Sequence, residues 1–167
     1  DNIKDMKELR NSGIEPIDMV VVNLYPFEKV SSKQDCQLKE ALENIDIGGV
    51  ALVRAAAKNY QDVSIVVDTR DYKNILREMK RMRGALSLDM RLNLAKKAFA
   101  HIAGYETSVS NYLNSLSSTG KREKFPDVLT MQFHKLQSLR YGENPHQEAS
   151  LYREGGTPAR PEPNIAG

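Results

Sequence analysis

Two short runs of β-branched apolar residues constrain this chain more than anything else in it. Ile17-Asp18-Met19-Val20-Val21-Val22-Asn23-Leu24 is nearly continuous in apolar character, and Val63-Ser64-Ile65-Val66-Val67-Asp68 repeats the pattern about forty residues on. Runs of this kind suit strands covered on both faces, as in a parallel sheet. Tyr25-Pro26-Phe27 stops the first run, because proline cannot continue a central ladder. Between them, Leu38, Ala41, Leu42 and Ile45 follow the helical i, i+3, i+4, i+7 rule, Asp46-Ile47-Gly48-Gly49 interrupts, and Val50 to Tyr60 reads as a second helix. Strand, helices, strand is a crossover unit with parallel strands, so an α/β domain is expected.

The flanks fit that frame. Residues 2–11 carry Ile3, Met6 and Leu9 at threefold spacing, with Gly13 placed to end a short helix. Tyr72, Ile75, Leu76, Met79 and Met82 mark another helix that ends near Gly84. The longest helix runs from a Ser87 cap, with Leu88, Leu92, Ala95, Phe99, Ile102, Tyr105, Val109, Tyr112 and Leu116 along one stripe and Gly104 as a point of kinking. Residues 117–130 are polar and breaker-rich and read as a linker. Met131 to Leu136 alternates with period two, the mark of a half-buried strand. Four of the seven prolines follow residue 144, and Gly155-Gly156-Thr157-Pro158 with Pro161 and Pro163 makes the end loop-like.

Several function classes recede on composition. The chain carries 24 basic and 22 acidic residues, a net charge of +2, so no global field draws nucleic acid or a membrane surface. Cys36 is the single cysteine, which precludes an internal disulfide and suits a reducing, cytoplasmic setting. Uninterrupted apolar stretches reach four residues, against the ~20 needed to span a bilayer. His101, His134 and His146 lie far apart with no partnering cysteine, so no metal site is expected. The 167 residues open on Asp1-Asn2-Ile3 without Met and stop at Asn164-Ile165-Ala166-Gly167; neither reads as a native end, and a fragment is expected.

Five places concentrate chemistry. Asn23 and Tyr25 stand at the carboxyl end of the first strand, where open α/β sheets bind ligands, although Tyr25 and Phe27 packing over the sheet edge is the plainer reading. Asp46-Ile47-Gly48-Gly49 offers close backbone approach and helix-start N–H groups, or else a turn capped by Asp46. Arg54 and Lys58 share a helical face among alanines; they are either a solvated pair or a partly buried one, with Lys58 desolvated beside the strand ends and tuned for proton transfer. Arg70 to Lys97 holds nine Lys or Arg against three acids, read as a solvated helical face rather than an RNA surface, since no stacking aromatics interleave. Leu139-Arg140-Tyr141-Gly142-Glu143-Asn144-Pro145-His146-Gln147 gathers a guanidinium fork, a stacking face and amides around one turn.

Taken in order, Asn23 to Phe27, Ile45 to Val50, Leu52 to Asn59 and Leu139 to Gln147 resemble the bifunctional purine-biosynthesis enzymes that join phosphoribosylaminoimidazolecarboxamide formyltransferase to IMP cyclohydrolase. The resemblance spans essentially the whole chain. It implies a partial three-layer, parallel-sheet α/β domain of the methylglyoxal-synthase-like type over residues 1–116 with a long C-terminal helix. The linker 117–130 then leads to the first strands of a second α/β domain, the formyltransferase, at 131–167. It implies formyl transfer from 10-formyltetrahydrofolate to the aminoimidazole carboxamide ribonucleotide, then dehydrative closure to IMP, by a cytoplasmic homodimer with no metal, membrane or nucleic-acid partner. By the same resemblance Lys58 is the proton donor and acceptor, Asp46 orients the amide, and Tyr25 supports the formyl oxygen. Val22, Asn23, Asp46, Ile47, Gly48 and Arg54 bind the nucleotide of the cyclohydrolase site, and Arg140 and Tyr141 that of the formyltransferase. The family's phosphate-binding loop and Lys-Thr-Leu-His-Pro-like motif fall upstream of Asp1, and its catalytic Lys-His pair falls downstream of Gly167. Both sites are therefore expected to be incomplete in this chain, leaving it inactive alone. The competing expectation is a regulatory nucleotide- or phosphate-binding module of the same fold.

Overall fold

A computed structural model of the chain describes residues 3–155. Helix α1, Ile3–Asn11, ends in paired hydrogen bonds from Gly13 N to Arg10 O (3.1 Å) and from Ile14 N to Leu9 O (3.0 Å). Gly13 has φ +66°, a conformation that glycine adopts without steric cost, which is why this helix stops where it does.

Strand β1, Met19–Val21, leads through helices α2 (Phe27–Ser31), α3 (Leu38–Glu43) and α4 (Gly48–Lys58) to strand β2, Ser64–Val66. The two strands pair in parallel, Met19 with Ser64 through Val21 with Val66. Backbone bonds from Ser64 N to Asp18 O (2.9 Å) and from Val22 N to Val66 O (3.0 Å) extend the ladder at each end. The expected crossover is present, but its strands are unequal. β2 is buried at every position, whereas Val21 is 52% exposed and Ile17 65%. Full burial of the first run on both faces is therefore not met: Met19, Val20, Val22 and Leu24 pack half-buried on the core, and among the described residues β1 pairs with β2 alone.

The core gathers on β2. Val53, Ala56 and Ala57 of α4 pack with Ile65, Val66 and Val67, and with Leu86. A turn of 3-10 helix, Thr69–Asp71, then leads into helix α5, Tyr72–Arg81, which adds only Ile75 as a fully buried residue. Gly84 (φ +97°) follows it, with its N–H on Met79 O at 2.8 Å. Helix α6, Leu88–Asn114, is capped by the Ser87 hydroxyl, which accepts from Met90 N at 3.2 Å. It contributes Leu94, Ala95, Ala98 and Ile102. Leu88 and Phe99, expected on the buried stripe, are 51% and 42% exposed. Ala95, Ile102, Val109 and Tyr112 of the expected stripe are buried, and Leu94 and Ala98 beside it widen the buried face.

The chain divides into two compact units, residues 1–102 and 103–167, between Ile102 and Ala103 of α6. In the second unit α6 continues unbroken through Gly104, whose missing Cβ makes room for Gln132. Residues 117–130 hold to the helix. The Asn111 amide donates to Thr130 O and accepts from Thr130 N, both at 2.8 Å, and the Arg122 guanidinium lies 5.0 Å from the Tyr112 ring centroid. Strand β3, Phe133–Leu139, pairs antiparallel with β4, Ala149–Glu154, with an irregularity between Lys135 and Gln137. Every residue of β3 is exposed, which corrects the half-buried reading; β4 covers its edge but neither face. Gly156, Pro158, Pro161 and Pro163, expected in a loop-like end, lie outside the described residues.

Candidate active site

The carboxyl end of β1 and the start of α4 are joined by one carboxylate. Asp46 Oδ1 accepts from Gly49 N at 2.6 Å, and Oδ2 accepts from Tyr25 N at 3.2 Å. The aspartate therefore caps the helix, as its place before a glycine pair suggested, and also pins the chain leaving the strand. Gly49 is required by this contact, since a Cβ there would lie 2.5 Å from the Asp46 carboxylate. Gly48 faces open space, Ile47 is 76% exposed, and the backbone N–H groups of this first turn carry the positive end of the helix dipole. On the strand side, Phe27 is buried while Asn23 and Tyr25 stay exposed. The two aromatics of Tyr25-Pro26-Phe27 thus divide between packing and display. Asn23, Tyr25, Ile47 and Gly48 are exposed at this carboxyl edge, with Val22 and Asp46 half-buried between them and the core.

Lys58 is not at that edge. α4 runs back from the carboxyl end of β1 to the amino end of β2, and Val63 N bonds Asn59 O just past its last turn. Its ten steps from Gly48 to Lys58 rise ~15 Å. Because β1 and β2 are parallel, the two ends of α4 stand at opposite edges of the sheet. The buried face of the helix is Val53, Ala56 and Ala57, leaving Lys58 exposed at the amino edge. Of the two readings of the Arg54 and Lys58 pair, the solvated one is met: helical phase turns Lys58 outward, and helix length sets it apart from the start of α4. Arg54 is exposed as well, with its guanidinium 6.0 Å from the Phe99 ring centroid.

The charge cluster at the carboxyl end of β2 escaped the sequence reading. Lys97 Nζ from α6 lies 2.7 Å from Asp68 Oδ2 and 2.7 Å from Asp71 Oδ2, and Arg70 donates to Asp68 from its backbone and its guanidinium. The Arg70 guanidinium first, then Lys97, holds the Asp68 carboxyl well below the usual carboxylate range. Burial opposes charge on Lys97, but Asp68 and Asp71 outweigh it and raise its pKa. His101, one turn on, is pushed down by burial against the pull of Asp68. The signal available in the sequence was an aspartate closing an apolar strand, two residues before an arginine.

A second overlooked residue is Arg91. Its guanidinium donates to Tyr60 O (3.0 Å), Leu86 O (2.9 Å) and Gln61 O (2.7 Å), fixing the turn that follows Lys58. Arg70, Arg91 and Lys97 are thus engaged within the fold, which further weakens an RNA-facing reading of this basic stretch. In the second unit, Arg140 and Tyr141 are exposed just beyond β3. The turn after them is closed by Gly142 N on Gln147 O (2.8 Å) and Asn144 N on Gln147 Oε1 (2.9 Å).

Comparison with known proteins places this geometry. The model of the AICARFT/IMPCHase bienzyme family matches residues 56–164, and that of the MGS-like domain matches residues 1–51. The bifunctional purine biosynthesis protein PurH of Magnetococcus marinus is 47% identical over 154 residues, covering 92% of this chain and 29% of that protein. The PurH of Acidithiobacillus ferrooxidans is 48% identical over 155 residues, covering 93% and 30%. This chain therefore spans about 30% of the length of those relatives. A solved structure described as the crystal structure of ForH superposes with a TM-score of 0.57 at 30% identity, covering 68% of this chain and 58% of that one. With its α/β crossover, its Asp46-capped helix and a family model matching well over half its length, the chain belongs to the AICARFT/IMPCHase bienzyme family.

Proposed function

We propose that this chain is the junction segment of a bifunctional enzyme that carries out the last two steps of de novo purine biosynthesis. Residues 1–116 belong to the IMP cyclohydrolase domain, residues 117–130 link, and residues 131–167 open the formyltransferase domain. The enzyme works in the cytoplasm as a homodimer on aminoimidazole carboxamide ribonucleotide, its formyl derivative and IMP, with 10-formyltetrahydrofolate as cosubstrate. The observation that carries the reading is the Tyr25–Asp46–Gly49 linkage, in which the Asp46 carboxylate ties the Tyr25 backbone to the helix start at the carboxyl edge, the edge where α/β sheets bind ligands.

Ring closure forms a bond from the carboxamide nitrogen to the formyl carbon. The formyl oxygen leaves as water, taking one hydrogen from the carboxamide nitrogen and one from the formamide nitrogen. The enzyme must therefore move protons between two nitrogens and one oxygen while holding both arms of the substrate together. Asp46, with its orientation set by two backbone donors, aligns the carboxamide. Tyr25, 58% exposed, presents its hydroxyl to the formyl oxygen. Backbone at Val22, Asn23, Ile47 and Gly48 receives the nucleotide, Arg54 assists from the helix, and Lys58 exchanges the proton. In the second domain Arg140 and Tyr141 offer a phosphate fork and a stacking face to the aminoimidazole nucleotide. Formyl-folate supplies the one-carbon unit when bound.

The test is to assay both half-reactions of the whole enzyme carrying Lys58→Ala. Closure is expected to be lost while formyl transfer persists. Unchanged closure removes the assignment and favours a nucleotide-binding regulatory module instead.

A further inference from the structure

Helix α5 is destabilised in two ways that nothing in its packing explains. The first is charge. Lys73, Arg77, Lys80 and Arg81 share one side of the helix at spacings of three and four, where like charges repel, and all four are exposed. Glu78 is the one acid of α5, and it is turned away from them: its side chain is 13% exposed, and its Oε1 accepts from Ser87 N at 2.9 Å. Arg81 approaches it only to 3.9 Å, and Lys73, Arg77, Lys80 and Arg83 enter none of the ion pairs among the described residues. The second is backbone. Arg83, two residues past the helix, has φ +55°, and among the described residues no other residue except glycine has a positive φ. A glycine would hold this turn without steric cost, as Gly84 beside it does at φ +97°. The strained position instead holds a fifth exposed cation. In a chain of net charge +2 this concentration is local and does not follow from a basic composition.

Exposed apolar groups border the cations. Leu76 is 57% exposed and Tyr72 39%. One turn apart, they lie between the side that packs Ile75 and Met79 on the core and the side that carries Lys73 and Lys80. We propose that this side of α5, together with Arg83, is a docking surface for an acidic amphipathic segment of a partner protein. Carboxylates repeating every three or four residues neutralise cations that otherwise repel one another, and an apolar row beside them covers Leu76 and Tyr72. From Lys73 to Lys80 the stripe rises about 10 Å, so two turns of a partner helix match it. Nucleic acid answers half of the surface, since phosphates pair with the cations but leave Leu76 in water. A lipid surface needs a wide apolar face to enter it, and that of α5 is already buried in the core around Ile75. None of these residues takes part in the proposed ring closure or formyl transfer, so the inference goes beyond that reading.

The whole enzyme, titrated by fluorescence anisotropy at low salt, tests this. The probe is a labelled helical peptide of about four turns, with Glu at i, i+4 spacing beside a row of Leu. Micromolar binding is expected, weakened by salt and at least ~10-fold by Arg77→Glu with Lys80→Glu. Leu76→Ser is expected to weaken the peptide while leaving poly-L-glutamate unaffected. Arg83→Gly is expected to move two readouts in opposite directions, raising the thermal midpoint and lowering peptide affinity. An incidental arginine would raise the midpoint alone, and that result counts against the proposal. Failure of the peptide to bind, or binding indifferent to the charge reversals, overturns it. A single-stranded RNA or phosphatidylserine vesicles binding more tightly than the peptide, with no response to Leu76→Ser, overturns it in favour of that ligand. Both half-reactions are expected to run unchanged in these variants, so loss of docking leaves the proposed function standing; loss of either reaction would make this side of α5 part of the catalytic fold and overturn its role as a docking surface.

Discussion

The two ends of helix α4 are built from the same eleven-residue element and do opposite things. Its start is crowded. One carboxylate takes two backbone donors, and a glycine is needed because no Cβ fits. Its end is open: Lys58 faces solvent, and the order there comes from behind, through Arg91 gripping the carbonyls of the following turn. The contrast teaches that a residue's place in a motif says little about where it acts. Asp46 and Lys58 belong to one continuous stretch of sequence resemblance, yet the fold sends them to different edges of the sheet.

The comparison can be broken most forcefully at Lys58. Replacing it with Ala is expected to slow ring closure by at least ~100-fold while altering stability by less than about 0.5 kcal/mol, as for an ordinary surface position. Denaturant melts beside the closure assay would show this split, and a matching loss of stability would make Lys58 structural instead. Arg91→Ala should show the reverse pattern in the same melts. Leaving three carbonyls without their charged donor is expected to cost about 2–3 kcal/mol, and an unaltered midpoint would mean that the end of α4 is not fixed as described.

Gly49→Ala sharpens the other end. The added methyl must displace the Asp46 carboxylate from its cap, at a cost of about 1–3 kcal/mol as overpacking. Asp46→Ala, which loses the cap without a clash, is expected to cost ~1 kcal/mol. If Gly49→Ala proved the milder of the two by thermal melting, the close approach would not be real.

The smallest effect concerns acidity at the neighbouring strand end. Asp68 has its pKa lowered in the fold, so its contribution is present above the ordinary aspartate value of ~3.9 and fades as pH falls through the lower folded value. Lys97 has its pKa raised, so its share is present below ~10.4 and fades as pH climbs past the folded value. Lys97→Met should flatten the acid limb of a stability-against-pH curve and lower neutral stability by ~1 kcal/mol, modest because the lysine is partly solvated. A curve with an unchanged acid limb would detach the network from stability.

Much of this was legible from residue pattern. The two apolar runs, the interrupted pair of helices and the Gly13 and Ser87 boundaries followed from local rules of turn and cap chemistry, which act over four or five residues. Register and edge exposure were not legible, because whether β1 is covered depends on what lies beside it in space. The Leu94 and Ala98 side of α6 was not legible because a single-file stripe of threes and fours understates the width of the face that a helix packed in a core buries. At the site, Asp46 and Tyr25 were recognisable from their places at a strand end and a helix start. The Asp68–Lys97 and Arg91 contacts join residues some thirty apart, and no spacing rule reaches that far.

The central claim is that the nucleotide sits at the carboxyl edge of β1, where Asp46 joins Tyr25 to the start of α4. A structure of the whole enzyme with the ring-closed nucleotide bound measures this directly. The expected result is a nucleotide against Tyr25, Asp46 and the first turn of α4 at Ile47 and Gly48. A nucleotide bound away from that edge, with none of these residues in contact, would contradict it.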